Sequence, residues 1–147
     1  MDNRFTVVPA VFIALVKDGE VILQKRQNTG FMDGYYDLPS GHIEPGETPP
    51  TAGAREAKEE VDIDIKETDL KLFHVSISTL AKPYIYFFFK VQKWTGNPQL
   101  ADKERISEVA YFGLDQLPTN TVPHVKVALK DLDKKEVTFA FLTSGDK

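Results

Sequence analysis

The apolar positions of the chain fall into short runs separated by turn signals. Residues 11–16 and 21–24 are two such runs, joined by Lys17-Asp18-Gly19-Glu20. Asp-Gly is a strong tight-turn signal, so these runs are expected to pair as an antiparallel hairpin. Residues 26–34 are polar and hold Asn28, Thr29, Gly30 and Gly34, the composition of a loop. A short strand is expected over 35–38, stopped by Pro39. Residues 40–50 are turn-rich and end at Thr48-Pro49, where Thr48 suits a helix cap and Pro49 the first helical position. Alanine, Arg, Lys and Glu then dominate 50–61, which predicts a helix.

Beyond it, Ile63 and Ile65 alternate with charged residues, and 70–80 and 84–91 read as strands. Residues 85–89 are apolar throughout, which predicts burial on both faces. A polar loop over 95–105, a strand over 109–112 and a short helical turn over 114–117 follow. Residues 122–132 form an amphipathic helix with Val122, Val125, Ala128, Leu129 and Leu132 on one side. With no repeat, linker or low-complexity tract, this order predicts one mixed α/β domain over 1–147, with a flexible polar tail at 143–147.

Bulk composition narrows the function classes. A chain of 147 residues, 41% hydrophobic and 27% charged, is ordinary for a globular domain with a real core. The net charge of −4 provides no broad basic footprint, so no stable nucleic-acid complex is expected. The absence of cysteine excludes a disulfide scaffold, a thiolate zinc site and a cysteine nucleophile, and fits a reducing compartment. The early apolar run 7–16 is too short to span a bilayer, contains Pro9 and leads straight into a turn. It reads as a buried strand; a cytoplasmic protein without membrane attachment is the expectation.

Chemistry concentrates in the helix over 50–61. Glu56, Glu59 and Glu60 stand at i, i+3 and i+4, and so share one face, with neighbouring side chains within about 6 Å. Such a run is usually a solvated acidic surface. Here Ala54, Ala57 and Val61 anchor the other side of the helix, and a Gly/Pro-rich loop precedes it, ready to offer backbone carbonyls. Like charges this close repel, and a divalent cation among them removes the conflict. Oxygen-only ligands point to Mg²⁺ or Mn²⁺ rather than zinc.

The pattern Gly41, five residues, Glu47, seven residues, Arg55-Glu56-x-x-Glu59-Glu60-x-x-Ile63 resembles the Nudix box. Chance agreement at the six polar or glycine positions is on the order of 10⁻⁷ per starting point at average residue usage. The likeness extends to 23–26, to Tyr36-Asp37-Leu38-Pro39 and to 112–118, hence over most of the chain. It implies an α/β/α sandwich with a mixed sheet between helices. The implied metal ligands are Glu56, Glu59, Glu60 and the Ser40 carbonyl, with Gly41 allowing the close turn. Arg55 and Glu47 are implied to pair and orient the ligating carboxylates. Two positions depart from the family: Ala57 replaces a larger aliphatic residue, and Asp62 stands where a helix-stopping glycine is usual.

The implied activity is Mg²⁺-dependent cleavage of a phosphoanhydride bond in a nucleoside diphosphate linked to another moiety. A nucleoside triphosphate, giving monophosphate and pyrophosphate as MutT-like members do, is the first reading. ADP-ribose or another nucleoside-diphosphate sugar or alcohol is the second, and a nucleotide sensor without catalysis is the reading from another class. The general base is expected to be Glu59 or a carboxylate of the loop before Val109, with Glu104 preferred over Asp102 and Glu108. Arg26 has two readings, a phosphate contact or a surface arginine. Asn120 either reads a purine edge or caps the helix after it, and Phe31 and Tyr35 either stack on a base or belong to the core. His42, His74 and His124 lack metal-ligand spacing and read as structural or surface residues. A small-molecule nucleotide is the expected partner, with the protein a monomer or homodimer.

Overall fold

The computed structural model describes residues 2–143, so most of the expected polar tail lies outside the described residues. The elements run β1 (Val8–Lys17), β2 (Glu20–Arg26), β3 (Tyr36–Asp37), β4 (Ser40–His42), α1 (Pro49–Val61), a 3₁₀ turn (Glu67–Asp69), β5 (Lys71–Ser78), β6 (Tyr84–Val91), β7 (Ile106–Gly113), α2 (Pro123–Leu129) and β8 (Thr138–Leu142). Eight strands form one mixed sheet in the order β3-β2-β1-β6-β5-β8, with β4 added to β1 and β7 to β2. The pairs β1·β6 and β5·β8 are parallel, and the remaining pairs are antiparallel.

The continuous apolar run of β1 is explained by a helix on each face of the sheet. Its alternate residues Ala10, Phe12, Ala14 and Val16 pack with Phe88 and with Val125, Ala128 and Leu129 of α2. Val11, Ile13 and Leu15, pointing the other way, pack with Ala52, Ala57 and Val61 of α1. A fully buried Leu, Ile or Phe contributes about 1.5–3 kcal/mol, so these two layers supply the main driving force. Small residues let α1 approach closely: a Cβ on Gly53 would stand 2.6 Å from a Leu70 methyl carbon.

The hairpin turn forms as expected, with Asp18 and Gly19 both at positive φ (53° and 77°). Its strands, however, pair only at Val16↔Val21 and Lys17↔Glu20. Beyond these positions β1 is taken by β4 and β6, and β2 by β3 and β7. Two strands, β4 and β8, stand where the pattern predicts none. The segment expected as a helical turn over 114–117 is an ordinary turn. The second helix is shorter than expected, although Leu132 beyond its end is still buried. Along β6, Tyr86, Phe88 and Phe89 are buried, whereas Ile85 and Phe87 are only half-buried on the α1 face. No helix among the described residues is long and apolar enough to cross a membrane.

Candidate active site

Because β1 and β2 separate after two residue pairs, the sheet opens into a cleft, and α1 presents its polar face there. The resulting pocket has a volume of about 890 Å³ and is lined by residues from both halves of the sheet, from α1 and from α2. That volume falls in the range of small-molecule sites.

Thr48 caps α1, its hydroxyl accepting from the Thr51 N–H at 3.3 Å, with Pro49 in the first turn. This fixes the helix against β4. A Cβ at position 41 would overlap the Glu56 carboxylate, so only glycine there admits that side chain. Burial raises the Glu56 pKa above its ordinary value, against the pull of Arg55, whose Nη1 donates to Glu56 Oε1 at 2.8 Å. Glu60 is deeper still. Its Oε1 accepts from the Ser40 N–H at 2.7 Å and from Gln24 Nε2 at 3.0 Å, yet burial pushes its pKa up to about 8. Glu59 is the open member: its side chain is 56% exposed and meets Arg55 Nη1 only at 3.4 Å.

Arg55 and Glu47 form the bidentate pair expected of them. Nε donates to Oε2 at 2.8 Å and Nη2 to Oε1 at 2.9 Å, while Nη2 also reaches the His42 carbonyl at 3.0 Å. The Arg55 hydrogen bonds, then the Glu44 N–H, hold the Glu47 pKa down to about 2. One guanidinium therefore ties the loop before α1 to two carboxylates on the helix.

Among the described residues no three Asp, Glu or His side chains converge on a common point. Each box carboxylate is instead engaged by Arg55, Ser40 or Gln24. The donor chemistry nevertheless fits a hard cation. Every box carboxylate offers oxygen, and Gln24, whose Nε2 meets Glu60, lines the same pocket with its Oε1 buried and without a hydrogen-bond partner.

On the opposite side of the cleft, each nitrogen of the Arg26 guanidinium makes one hydrogen bond within the protein. Nη1 donates to Asp37 Oδ2 at 2.8 Å, Nε to the Phe31 carbonyl at 2.7 Å and Nη2 to Thr29 Oγ1 at 3.0 Å. The guanidinium also lies 5.3 Å from the Phe31 ring centroid. Complete burial outweighs Arg26 and raises the Asp37 pKa to about 6. Arg26 and Phe31 line the pocket; Tyr35 and Asn120 do not. Asn120 donates to the Gly34 carbonyl at 2.9 Å and does not cap α2, whose first residue is preceded by Val122. Of the loop carboxylates, Asp102 lines the pocket. Glu104 is exposed outside the lining, and Glu108 accepts from the Tyr36 hydroxyl at 2.6 Å.

Pattern reading missed Gln24 and Asp37 as site residues, ranked Asp102 below Glu104, and missed the wall formed by Phe12, Tyr86 and His124. Two of these left a trace in the sequence: a glutamine in an apolar strand and an aspartate before Leu-Pro each break a buried run. Lys82 and Arg105 also line the pocket, and neither side chain has a carboxylate partner among the described residues.

Comparison with known proteins gives three results. The family model described as NUDIX domain matches residues 6–132. An ADP-ribose pyrophosphatase of Methanocaldococcus jannaschii is 30% identical over 130 residues, 87% of this chain and 75% of the relative; an 8-oxo-dGTP diphosphatase of Proteus vulgaris is 30% identical over 96 residues, 65% of this chain and 83% of the relative. The crystal structure of a MutT NUDIX hydrolase from Burkholderia pseudomallei superposes with a TM-score of 0.81 at 23% identity, covering 87% of this chain and 99% of that one. This last likeness is one of fold.

Proposed function

The chain belongs to the NUDIX family of phosphoanhydride hydrolases, and on that premise we propose that it hydrolyses a nucleoside triphosphate to the monophosphate and pyrophosphate. Hydrolases of this family generally use a divalent metal such as Mg²⁺. The observation that carries the reading is the composition of one pocket: the α1 carboxylates, the cations Lys82 and Arg105, without carboxylate partners among the described residues, and an aromatic wall line the same cavity. A polyphosphate bearing a base matches all three features.

In this reading Glu56, Glu60, Glu59 and the Ser40 carbonyl would hold the cation, with the buried Gln24 amide beside Glu60. Bound there, a divalent cation would neutralise charge on the phosphoryl oxygens and lower the pKa of water. Arg55, clamped by Glu47, fixes where the helix carboxylates stand. Glu59, the most exposed of the three, accepts the proton of the attacking water. Arg26 is oriented by Asp37, Thr29 and Phe31 toward the substrate, and Lys82 and Arg105 balance its negative charge. Water adds across the anhydride, one phosphorus taking the hydroxyl and the departing pyrophosphate leaving as the anion.

A second reading, hydrolysis of ADP-ribose, is favoured by the relative that is 30% identical over 87% of the chain. Product analysis over a nucleotide panel with Mg²⁺, Mn²⁺ or chelator separates the two. Pyrophosphate release from triphosphates supports the first; cleavage of ADP-ribose alone supports the second. Glu59→Gln and Glu60→Gln are each expected to lower turnover at least about a hundredfold while the protein stays folded, as loss of a metal ligand or base commonly does. Wild-type turnover in both variants refutes the assignment.

A further inference from the structure

One wall of the pocket takes no part in the bond cleavage described above. It is made by Phe12 of β1, Tyr86 of β6 and His124 of α2. The His124 ring stacks on Tyr86, with centroids 4.7 Å apart and planes at 26°, and meets Phe12 edge-on at 5.3 Å. Pro123 starts α2 immediately before it, and Val125 beside it is fully buried, so the ring has a fixed direction. His124 is only 6% exposed, yet no protein group among the described residues hydrogen-bonds its ring nitrogens. Its ring nitrogens are not sealed in the core, and the ring lines the pocket. That cavity is the place from which a ligand can hydrogen-bond them.

We infer that His124 determines specificity by hydrogen-bonding the edge of an uncharged aromatic heterocycle, the nucleobase of the substrate proposed above. The inference rests on the nucleotide reading of the site. Its neighbours favour a base over a phosphate: Phe12 and Tyr86 offer apolar ring surface rather than charge. Burial, with Arg26 adding to it, holds His124 neutral, with a pKa near 4. A neutral imidazole presents either an N–H or a bare nitrogen to a base edge, and has no charge with which to hold phosphate. This places the base reader on α2, beyond Asn120, the residue that sequence likeness suggested and whose amide is used on Gly34.

The test compares His124→Phe, which keeps the ring stack, with His124→Asn, which keeps a donor and an acceptor. Nucleoside triphosphates and inorganic tripolyphosphate serve as substrates with Mg²⁺. The ratio of kcat/KM for nucleoside triphosphate to that for tripolyphosphate is expected to fall at least about tenfold in His124→Phe, chiefly through KM, and to recover in part in His124→Asn. An unchanged ratio overturns the inference. Failure of the wild type to cleave any triphosphate counts against the nucleotide-triphosphate reading instead. A second measurement stands apart from hydrolysis: ¹⁵N imidazole resonances of the wild type, assigned by their loss in His124→Phe, are followed while uncharged nucleosides are added without metal. A saturable His124 shift supports base recognition, and its absence at saturating nucleoside overturns it. Melting curves of both variants establish that they are folded.

Discussion

At the scale of single residues, the site depends on side chains placed where their ordinary chemistry is disfavoured. Gly41 owes its place to crowding and not to backbone freedom, since the Glu56 carboxylate occupies the volume a Cβ would need. His124 is the clearest electrostatic case. Burial depresses its pKa from 6.5 to about 4, so the folded state prefers the neutral ring and the unfolded chain takes up a proton first as pH falls. The stability this contributes is complete above pH 6.5 and is lost as pH falls toward 4, in total about 3 kcal/mol. Asp37 works in the opposite sense, because a carboxyl raised to about 6 favours the fold as pH falls. It is common to wild type and variant and cancels between them. Denaturant unfolding from pH 7 to pH 4 is therefore expected to show the wild type losing about 3 kcal/mol relative to His124→Phe; parallel pH profiles would contradict the burial argument. The box residues were legible in advance because their spacing lies within one helix and its loop. Gln24, Asp37 and His124 were not, because each gains its meaning from a partner on another element or from a pocket assembled by several strands.

At the scale of elements, helix α1 ends as the odd residue in the box allows. Asp62 adopts φ 56°, ψ 47°, the left-handed cap, and its N–H reaches the Lys58 carbonyl at 3.1 Å. Its carboxylate takes Gln99 Nε2 at 2.9 Å and Lys58 Nζ at 3.2 Å. Alanine there would keep the strain and lose both contacts, so Asp62→Ala is expected to destabilise by about 1–2 kcal/mol. Glycine would relieve strain while losing the contacts and adding freedom to the unfolded chain, so Asp62→Gly should stay within about 0.5 kcal/mol. Thermal melts of the pair decide this, and equal destabilisation would show that the contacts outweigh the backbone. The loop before β7 carries a second consequence. Gln27 N–H donates to the Arg105 carbonyl at 2.8 Å, and Asn28 Nδ2 to the Glu104 carbonyl at 3.1 Å. These bonds hold the loop against the end of β2 with Asp102 on the pocket and Glu104 in solvent. Asp102→Asn is accordingly expected to lower kcat at least about tenfold and Glu104→Gln less than about threefold, by the usual scale of a lost acid–base or water-positioning group. The reverse order in steady-state kinetics would restore Glu104. Elements with strong local signals, the Asp-Gly turn, the Thr-Pro helix start and β6, could be read directly. Strands β4 and β8 could not: β4 is three residues of a glycine-bearing loop, and β8 turns Phe139 and Phe141 outward, 76% and 56% exposed, so apolar pattern does not mark a buried face.

At the scale of the whole molecule, the same divergence that makes the cleft leaves the two halves of the sheet joined directly at two residue pairs of β1 and β2. One half carries β4, β6, β5 and β8; the other carries β3 and β7. The pocket draws Phe12, Ser40, Tyr84 and Tyr86 from the first and Gln24, Arg26 and Asp37 from the second, with Glu60 of α1 bridging to both through Ser40 and Gln24. A ligand seated there touches every layer, and it binds the folded chain while the unfolded chain offers it no comparable site. Linkage then requires it to stabilise the whole fold. At about a hundred times its dissociation constant the gain is about 2.7 kcal/mol, which for a chain of 147 residues raises the melting temperature by about 8 °C. Mg²⁺ together with a nucleoside triphosphate analogue whose α–β bridge is methylene should produce that shift, and chelator should abolish most of it. Glu60→Gln, which weakens the link from α1 to both halves as well as the metal site, should reduce the shift further than Glu104→Gln does. Scanning calorimetry checks both statements: a shift that survives chelator and is the same in both variants would mean that the nucleotide is held away from the α1 carboxylates.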